Sequence, residues 1–207
     1  TGVMVVGGLL VDQVREKLIA IADHTMENIH RLFIVRYDDI RMLASEPALK
    51  AGPGAPGAIQ ETYSGYMRHF RAYAPYLSLS YFDLERVRLV DSSGRDVGIR
   101  HSLSEYWLSI KAGREFVLHV SVSESVKAPV FHLAHLVRNQ AGIPSGVVVA
   151  RILVGALHEV ITRPLRIFRD SGTFKVDLVA CDGRYLYSSH DPGSVLAQKS
   201  PVFAMAQ

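Results

Sequence analysis

The sequence predicts an α+β protein with a long amino-terminal helix, an antiparallel sheet module after it, and a second, small or partial module of the same kind. Apolar residues recur three and four positions apart through residues 11–46, which is the spacing of a long helix. From Leu77 onward the period changes to the alternation of strands. A strand–turn–strand pattern at 87–101 occurs again at 176–190. Antiparallel strands with helices segregated to one face and end are typical of the α+β class.

The composition favours one or two small domains with hydrophobic cores, since 48% of the 207 residues are hydrophobic. The net charge of +3 comes from scattered basic residues, without the clustering that a dedicated nucleic-acid surface needs. The single cysteine, Cys181, excludes an intramolecular disulfide and a thiolate-cluster metal site, and no haem-attachment motif is present. We therefore predict no cofactor, no metal site and no nucleic-acid partner.

The first element is a helix over about 11–46, with a narrow 3-4 seam as in a coiled coil or bundle. The seam comprises Val11, Val14, Leu18, Ile21, Thr25 and Asn28, then Ile29, Phe33, Arg36, Ile40 and Leu43. The helix ends at Glu46, because the residue before a proline disfavours the α region. At 1.5 Å per residue it is a rod of roughly 50 Å, longer than a small domain. We predict a homodimer through this helix, while Asn28 and Arg36 indicate that part of the seam packs on the domain itself.

The chain is predicted to be a fragment of a larger protein. Residues 3–11 are apolar but far shorter than the about 20 residues that span a bilayer, and no basic segment precedes them. They are either the end of a transmembrane helix or residues left by an expression tag. The last residues lie inside an unfinished module. We divide the chain into a signalling helix (1–50), a ligand-binding module (51–155), and a linker helix with a second, incomplete module (156–207).

The elements after the long helix follow from local patterns. A loop at 52–58 precedes a second helix over about 59–74, which Pro75 ends. Strand residues alternate between Leu77 and Tyr81. Later strands are predicted at 115–122, 130–137 and 147–154, and a helix interrupted by Pro164 at 156–168. The strand at 147–154 is apolar almost throughout, so we expect it to be central in the sheet.

The repeated pattern predicts two related modules in tandem. At one fixed offset, Val87, Leu89, Val90, Gly94, Arg95 and His101 recur as Val176, Leu178, Val179, Gly183, Arg184 and His190. Each copy is typical of two short strands joined by a turn that requires glycine. The alternative is that any two hairpins look alike.

The segment after the first copy predicts a capped helix. Ser102-x-x-Glu105 has the form of a capping box, in which two side chains satisfy free helix amides reciprocally. Gly113 is suited to the position just past the helix end, so the helix is predicted over about 103–112.

Taken together, these motifs resemble the double Cache (PAS-like) extracytoplasmic sensor domains over nearly the whole chain. The similar segments are RMLASEPAL at the end of the long helix, VDSSGRDV in the first hairpin, SEYWLSIKAG in the short helix, APVFHLAHLVRNQAGIPSGVVVARI in the last two strands of the first module, and VDLVACDGRYLYSS at the start of the second.

The resemblance implies the periplasmic or extracellular part of a receptor in the cell membrane, such as a histidine kinase, a chemoreceptor or a diguanylate cyclase. It implies that a small molecule binds in the membrane-distal module, between the sheet and the short helix. The signal then passes down the long helix, whose packing has discrete alternatives that a ligand can bias. The fragment itself is expected to be no enzyme, and the full-length protein to be tethered to the membrane.

Family members that bind amino acids carry an Arg before a Trp-Tyr pair on the pocket helix, and acidic residues on the third and last strands for the ammonium group. This chain departs from both features. Glu105 precedes Tyr106-Trp107, and the acidic positions fall by pattern at His119 and Arg151. An ammonium group would meet like charge there. We therefore predict an anionic ligand, such as a small carboxylate, for which Arg offers a bidentate fork.

The candidate ligand-binding residues are Arg100, Lys111, His119, His132 and Arg151, with Tyr106 and Trp107 as walls. Each has a structural alternative. The histidines could face solvent, and Arg100 could simply face water. Arg151 could form a structural ion pair with Asp83 or Glu105, and Trp107 is more often a core residue.

Two other functions were weighed. The sequence has none of the HExxH, GxSxG or phosphate-loop motifs of common enzyme classes. His132 and His135 lie three apart in a strand, hence on opposite faces, which counts against a metal site. The second alternative is a degenerate module without a ligand, acting in dimerisation or contact with another protein.

Overall fold

A computed structural model describes residues 2–50, 56–70, 75–164 and 175–205, and it confirms the α+β class. The helices are α1 (Gly2–Ala44), α2 (Pro47–Lys50), α3 (Pro56–Phe70), α4 (Glu105–Lys111), α5 (Leu157–Thr162) and α6 (Pro201–Met205). The strands are β1 (Tyr76–Phe82), β2 (Arg88–Asp91), β3 (Phe116–Val122), β4 (Pro129–Arg138), β5 (Pro144–Leu153), β6 (Asp177–Val179) and β7 (Tyr185–Ser188).

Five strands form one antiparallel sheet in the order β2-β1-β5-β4-β3. The prediction that the apolar run at 147–154 is central is confirmed, since β5 is the middle strand and its residues 146–152 are all buried. A strand with neighbours on both sides and helices over both faces has no solvent-facing side, so it loses the polar alternation of an edge strand.

The two faces of the sheet carry different partners. On one face, α1, α3 and α5 cover the main core, whose largest members include Ile40, Leu43, Tyr63, Leu79, Leu133 and Ile161. On the other face, α4 packs through Trp107 and Ile110 on a smaller cluster of Phe82, Ala134, Val147 and Val149. The smaller cluster leaves part of this second face uncovered, and the site described below lies there.

The long helix is longer than predicted and begins at Gly2, so the apolar segment 3–11 continues it. Its seam is buried in the chain's own core from Thr25 onward: Ile40 and Leu43 are fully buried, and Arg36 pairs with Asp39 at 2.8 Å. The expected packing of part of the seam on the domain is confirmed. No helix in the described part of the chain combines the length and apolarity needed to cross a membrane.

Two helix boundaries differ from the predictions because proline is favourable in the first turn of a helix. Helix α3 begins at Pro56 instead of residue 59, so part of the predicted loop is helical. A separate turn of helix, α2, begins at Pro47, where the sequence only predicted the end of α1. The predicted end of the second helix at residue 74 lies outside the described residues. So do residues 165–168, the part of the helix predicted at 156–168 that follows Pro164.

The predicted capping box is wrong. Helix α4 begins at Glu105 with Ser104 at the N-cap, and the Ser102 hydroxyl instead donates a hydrogen bond to Glu124 Oε1 at 3.0 Å. The residues before α4 are therefore engaged with the β3–β4 loop. The end of the helix follows the prediction, because Gly113 has a positive φ of 93° just past the C-cap.

The two copies of the repeat share their turn but differ in the strand that returns. Gly94 and Gly183 both have positive φ and donate to the carbonyl three residues earlier. In the second copy, β6 and β7 then pair as a hairpin. In the first copy, a further turn follows and the return makes only a bridge between Val87 and Arg100. The Arg88 guanidinium donates a hydrogen bond to the backbone oxygen of residue 95 in this turn at 3.0 Å. The predicted first hairpin is thus incomplete, and β2 pairs with β1.

The second module contains the β6–β7 hairpin and α6 in its described part. It contacts α5, where Tyr187 Oη lies 2.8 Å from His158 Nδ1. The division of the chain at residues 50 and 155 stays a prediction.

Candidate functional site

A cavity of about 90 Å³ lies on the α4 face of the sheet. The segment before α4 and the end of β3 with its following loop form its walls. Its lining residues are Ser80, Phe82, Arg88, His101, Ser102, Ser104, Tyr106, Ser121, Val122, Ser123, Glu124, Ser125, His132, Val149 and Arg151.

The alternation of the strands brings the polar lining together. His132 on β4 is directly opposite Arg151 on β5, and Arg151 is in turn opposite Ser78 on β1. Residues directly opposite each other in an antiparallel pair point to the same face. Three strands therefore place an imidazole, a guanidinium and a hydroxyl group side by side under α4.

Arg151 is the charged group at the centre of this face, with only 5% of its surface exposed. Its Nε donates to Ser78 Oγ at 2.7 Å, and its Nη1 donates to Ser125 Oγ at 2.6 Å. Its Nη2 lies 3.4 Å from Asp91 Oδ2. Its carboxylate partner is therefore Asp91, not Asp83 or Glu105. Burial, followed by the positive charge of Arg88, lowers the pKa of Arg151 from its usual value.

Arg88 lines the same cavity, although it was not among the predicted site residues. It is 2% exposed, and its Nη1 lies 3.2 Å from Asp96 Oδ2 and 3.6 Å from Asp91 Oδ2. Its guanidinium carbon is 5.2 Å from the centre of the Phe82 ring, a cation–π distance. Its buried Nε has no hydrogen-bond partner among the described residues. The sequence indicated a buried charge here only through an arginine placed between a valine and a leucine in a predicted strand.

Asp91 is fully buried and already occupied by protein donors. Its Oδ2 accepts from Ser80 Oγ at 2.6 Å, and its Oδ1 accepts from the amide of Ser93 at 2.8 Å and from the Ser93 hydroxyl. It is not among the residues that line the cavity. Glu124 is the one carboxylate among those lining residues, and it is exposed to solvent.

Two histidines of the cavity wall are held neutral. Burial lowers the pKa of His132 to about 3, and the nearby charges of His119, Arg151 and His101 act in the same direction. Burial and then Arg88 and Arg151 lower the pKa of His101 to about 4. The Nδ1 of His132 and the Nε2 of His101 are buried and have no hydrogen-bond partner among the described residues. These two nitrogens lie inside the wall and are not exposed to the cavity.

Tyr106 is the aromatic residue of the wall. It is 5% exposed and stacks on His132 with ring centres 5.1 Å apart and planes 17° apart. Burial raises the pKa of its hydroxyl group. Trp107, the other predicted wall residue, is instead in the core under α4, where it packs edge-on against Phe82 at 5.7 Å.

The structure does not bring the other predicted site residues into this cavity. Arg100 is exposed, donates to the Glu85 carbonyl at 2.9 Å and lines a neighbouring depression. Lys111 is exposed at the end of α4. His119 lies on the neighbouring strand β3, directly opposite His132, with its Nδ1 3.6 Å from Glu105 Oε2 and its ring 6.4 Å from that of Tyr106.

Serines are the most frequent lining residues, and none of them was among the predicted site residues. They are Ser80, Ser102, Ser104, Ser121, Ser123 and Ser125. Ser121 lies on β3, while Ser123 and Ser125 lie in the loop after it, and their alternation was visible in the sequence. Among the described residues, no cluster of His, Cys, Asp or Glu has the geometry of a metal site.

No protein-family model matches the chain, and no curated protein matches it significantly. Solved structures do match its fold. The ligand-binding domain of the amino-acid chemoreceptor PctC of Pseudomonas aeruginosa, in complex with GABA, has a TM-score of 0.69 at 18% identity. The match covers 89% of this chain and 80% of that domain. The sensor domain of the histidine kinase DctB of Vibrio cholerae has a TM-score of 0.66 at 13% identity. The match covers 94% of this chain and 73% of that domain.

A third match is an extracellular ligand-binding receptor of Desulfohalobium retbaense, with a TM-score of 0.65 at 14% identity. The match covers 96% of this chain but only 33% of that receptor. Identities this low establish the fold alone. The fold of this chain is that of the Cache-type sensor domains of chemoreceptors and histidine kinases.

Proposed function

We propose that this chain is the extracytoplasmic sensing domain of a membrane-tethered receptor, such as a histidine kinase, a chemoreceptor or a diguanylate cyclase. Its cavity under α4 binds a small carboxylate, and the bound state biases the packing of α1. The fold supports the sensor role, because proteins with this fold include ligand-binding domains of receptors. The chemistry of the cavity supports the ligand class.

The observation that carries the ligand class is the guanidinium group of Arg151 in the cavity wall, backed by that of Arg88. Guanidinium groups bind carboxylates through paired, charge-assisted hydrogen bonds. The neighbouring imidazoles are neutral, so they add no positive charge. A carboxylate entering the cavity meets positive charge and hydrogen-bond donors.

An ammonium group finds less favourable partners in the same cavity. The oxygens of Asp91 are already engaged by Ser80 and Ser93. Glu124 is exposed, so solvent weakens its attraction for a cation. Burying an ammonium beside Arg151 would therefore be unfavourable.

The coupling to α1 is proposed through β4. His132 faces the cavity from this strand, and the adjacent residue, Phe131, faces the helix layer. The Phe131 ring packs edge-on against Phe33 of α1 with ring centres 4.9 Å apart. A ligand that shifts His132 would move the neighbouring contact with α1, since close-packed interfaces transmit small displacements.

The test is a melting-temperature screen followed by calorimetry of the purified domain with short carboxylates, amino acids and primary amines. We expect carboxylates to raise the melting temperature and amines to leave it unchanged. Arg151→Gln should abolish the shift, while Arg138→Gln, an exposed arginine paired with Glu115, should keep it.

Shifts with amino acids and amines but not with carboxylates would overturn the proposed ligand class. The absence of any shift across the screen would favour the ligand-free alternative. If Arg151→Gln unfolds the domain, the pairing with Asp91 is the reason, and Ser125→Ala then tests the same corner of the cavity through a milder change.

A further inference from the structure

We propose that the hydroxyl group of Ser125 is a displaceable occupant of the carboxylate site. In the unliganded domain it accepts a hydrogen bond from Arg151 Nη1 at 2.6 Å. A carboxylate that enters the cavity takes the place of this hydroxyl group on the guanidinium, and the tip of the β3–β4 loop, residues 124–126, is released. This inference rests on the proposed function, because it concerns how the same site is filled.

Arg151 has one nitrogen whose partner can leave without disturbing the sheet. Its Nε donates to Ser78 and its Nη2 lies against Asp91, and both of these partners are buried. The acceptor of Nη1 is instead a serine that lies in a loop and is exposed to solvent. Exchange at Nε or Nη2 would leave a buried polar group of the protein without its partner, which is costly. The ligand therefore competes with Ser125.

The charge balance beside the cavity favours this exchange. The guanidinium groups of Arg88 and Arg151 share one fully buried carboxylate, that of Asp91, while Asp96 beside Arg88 is partly exposed. Two positive charges thus face one buried negative charge. The Ser125 hydroxyl group is neutral and does not compensate the second positive charge. A ligand carboxylate supplies that compensation together with charge-assisted hydrogen bonds.

The loop that carries Ser125 is held in different ways at its base and at its tip. Two backbone hydrogen bonds of 2.8 and 2.9 Å between Ser123 and the end of the loop close the base. Side chains hold the tip: Ser125 accepts from Arg151, and Glu124 accepts from Ser102 at 3.0 Å in an exposed contact. Loss of the bond to Arg151 therefore loosens the tip while the base stays closed. The liganded and unliganded states then differ in the order of this loop, which is the kind of difference that a receptor can transmit.

The test compares the binding of acetate to the native domain, Ser125→Ala and Ser125→Thr by calorimetry. We expect Ser125→Ala to bind acetate about 3- to 10-fold more tightly, because alanine removes the hydroxyl group that competes for Nη1 in the unliganded state. Ser125→Thr keeps a hydroxyl group and should retain the native affinity. Ser45→Ala, which removes an exposed hydroxyl group just past the end of α1, is the matched control and should also bind as the native domain does. Circular dichroism would verify that all variants are folded.

A second readout uses the native protein alone. The ¹⁵N heteronuclear NOE of the amides of residues 124–126 should fall when acetate saturates the domain, because the tip has lost a side-chain anchor. The same values for residues 130–137 of β4 should stay high.

Two results would overturn this inference and leave carboxylate sensing intact. One is acetate binding to Ser125→Ala that is equal to or weaker than that of the native domain, since a hydroxyl group that contacts the ligand would be missed by it. The other is a loop tip whose NOE values do not fall in the native domain saturated with acetate. Failure of the native domain to bind any carboxylate of the screen would overturn the proposed function itself.

Discussion

His132 and His101 are neutral in a cavity that also holds Arg151, and their titration sets a pH limit on the fold. Burial lowers the pKa of His132 to about 3 and that of His101 to about 4, whereas both would titrate near 6.5 in the unfolded chain. The unfolded state therefore binds more protons below about pH 6.5. The stabilisation is fully present above that pH and is lost as the pH falls towards the folded pKa values.

We predict that this loss is measurable in urea denaturation between pH 7.5 and pH 5. For His132, which is buried, the free energy of unfolding should fall by up to about 1.4 kcal/mol per pH unit below 6.5. His101 is half-exposed and adds a smaller, solvent-screened part. His132→Phe removes one titrating group, so its stability profile should be flatter than that of the native domain. Parallel profiles for native protein, His132→Phe and the exposed control His30→Phe would contradict this account.

The site residues show what local sequence can and cannot indicate. His132, Tyr106 and Arg151 lie at the same cavity because strand alternation and helix position, both local features, put them there. Arg88 and His101 reach it because β2 pairs with β1 and the following loop folds back around Arg88. That closure depends on contacts across the chain, which no periodicity reports.

Among the elements, β5 lies very close to β1 at Gly146, where only a glycine leaves enough space. A methyl group on Gly146 would lie 2.5 Å from the carbonyl oxygen of Phe82 and 2.5 Å from Tyr81 Oη. Both atoms belong to the neighbouring strand β1, and the carbonyl oxygen is part of the backbone, so neither strand can yield without disturbing the sheet. The apolar run of β5 predicted its burial, but this contact depends on the register with β1.

We predict that Gly146→Ala lowers the free energy of unfolding by about 1–3 kcal/mol, the usual cost of overpacking a core. Gly57→Ala is the matched control, because nothing lies within 4 Å of the added methyl group and the site is helical. It should stabilise the domain by up to about 1 kcal/mol. Urea denaturation of both variants measures the difference, and a Gly146→Ala domain as stable as the native one would show that β1 and β5 are further apart than described.

The helix boundaries and the repeat also show that local sequence predicts only part of each element. Gly94 and Gly183 were predicted as turns, and both adopt positive φ. The predicted capping box is absent because the Ser102 hydroxyl donates its hydrogen bond to Glu124, which is distant in sequence. Local signals thus predicted where the chain turns, while tertiary contacts decided which side chains take part.

On the scale of the whole molecule, α1 is a rod of ~65 Å at 1.5 Å per residue, and its two parts have different surroundings. From Thr25 to Leu43, its seam is buried against the chain's own sheet and α5. Towards the amino terminus, Val14 and Ile19 are about half-exposed. The sequence predicted a seam that shifts by one position after Asn28 and packs in part on the domain itself. Periodicity does not tell which part faces a helix and which part faces a sheet. A dimer contact is therefore expected in the amino-terminal half.

We predict a homodimer through this half of α1, disrupted by the double variant Val14→Glu and Leu18→Glu. The two residues lie four apart, hence on one helix face, with 48% and 36% of their surfaces exposed. Leu18 also lines a groove with Val176 and Leu178 of the same chain, so the fold of the variant has to be checked separately. Ile143→Glu places one such charge on an equally apolar residue of the β4–β5 turn, 60% exposed, and serves as control. Sedimentation velocity over a concentration series should show a dimer for the native domain and the control, and a monomer for the double variant. Circular dichroism would verify that all three are folded. A native domain that stays monomeric at every concentration, or a double variant that sediments with the native dimer, would exclude this face as the contact through which ligand binding could be passed to a partner.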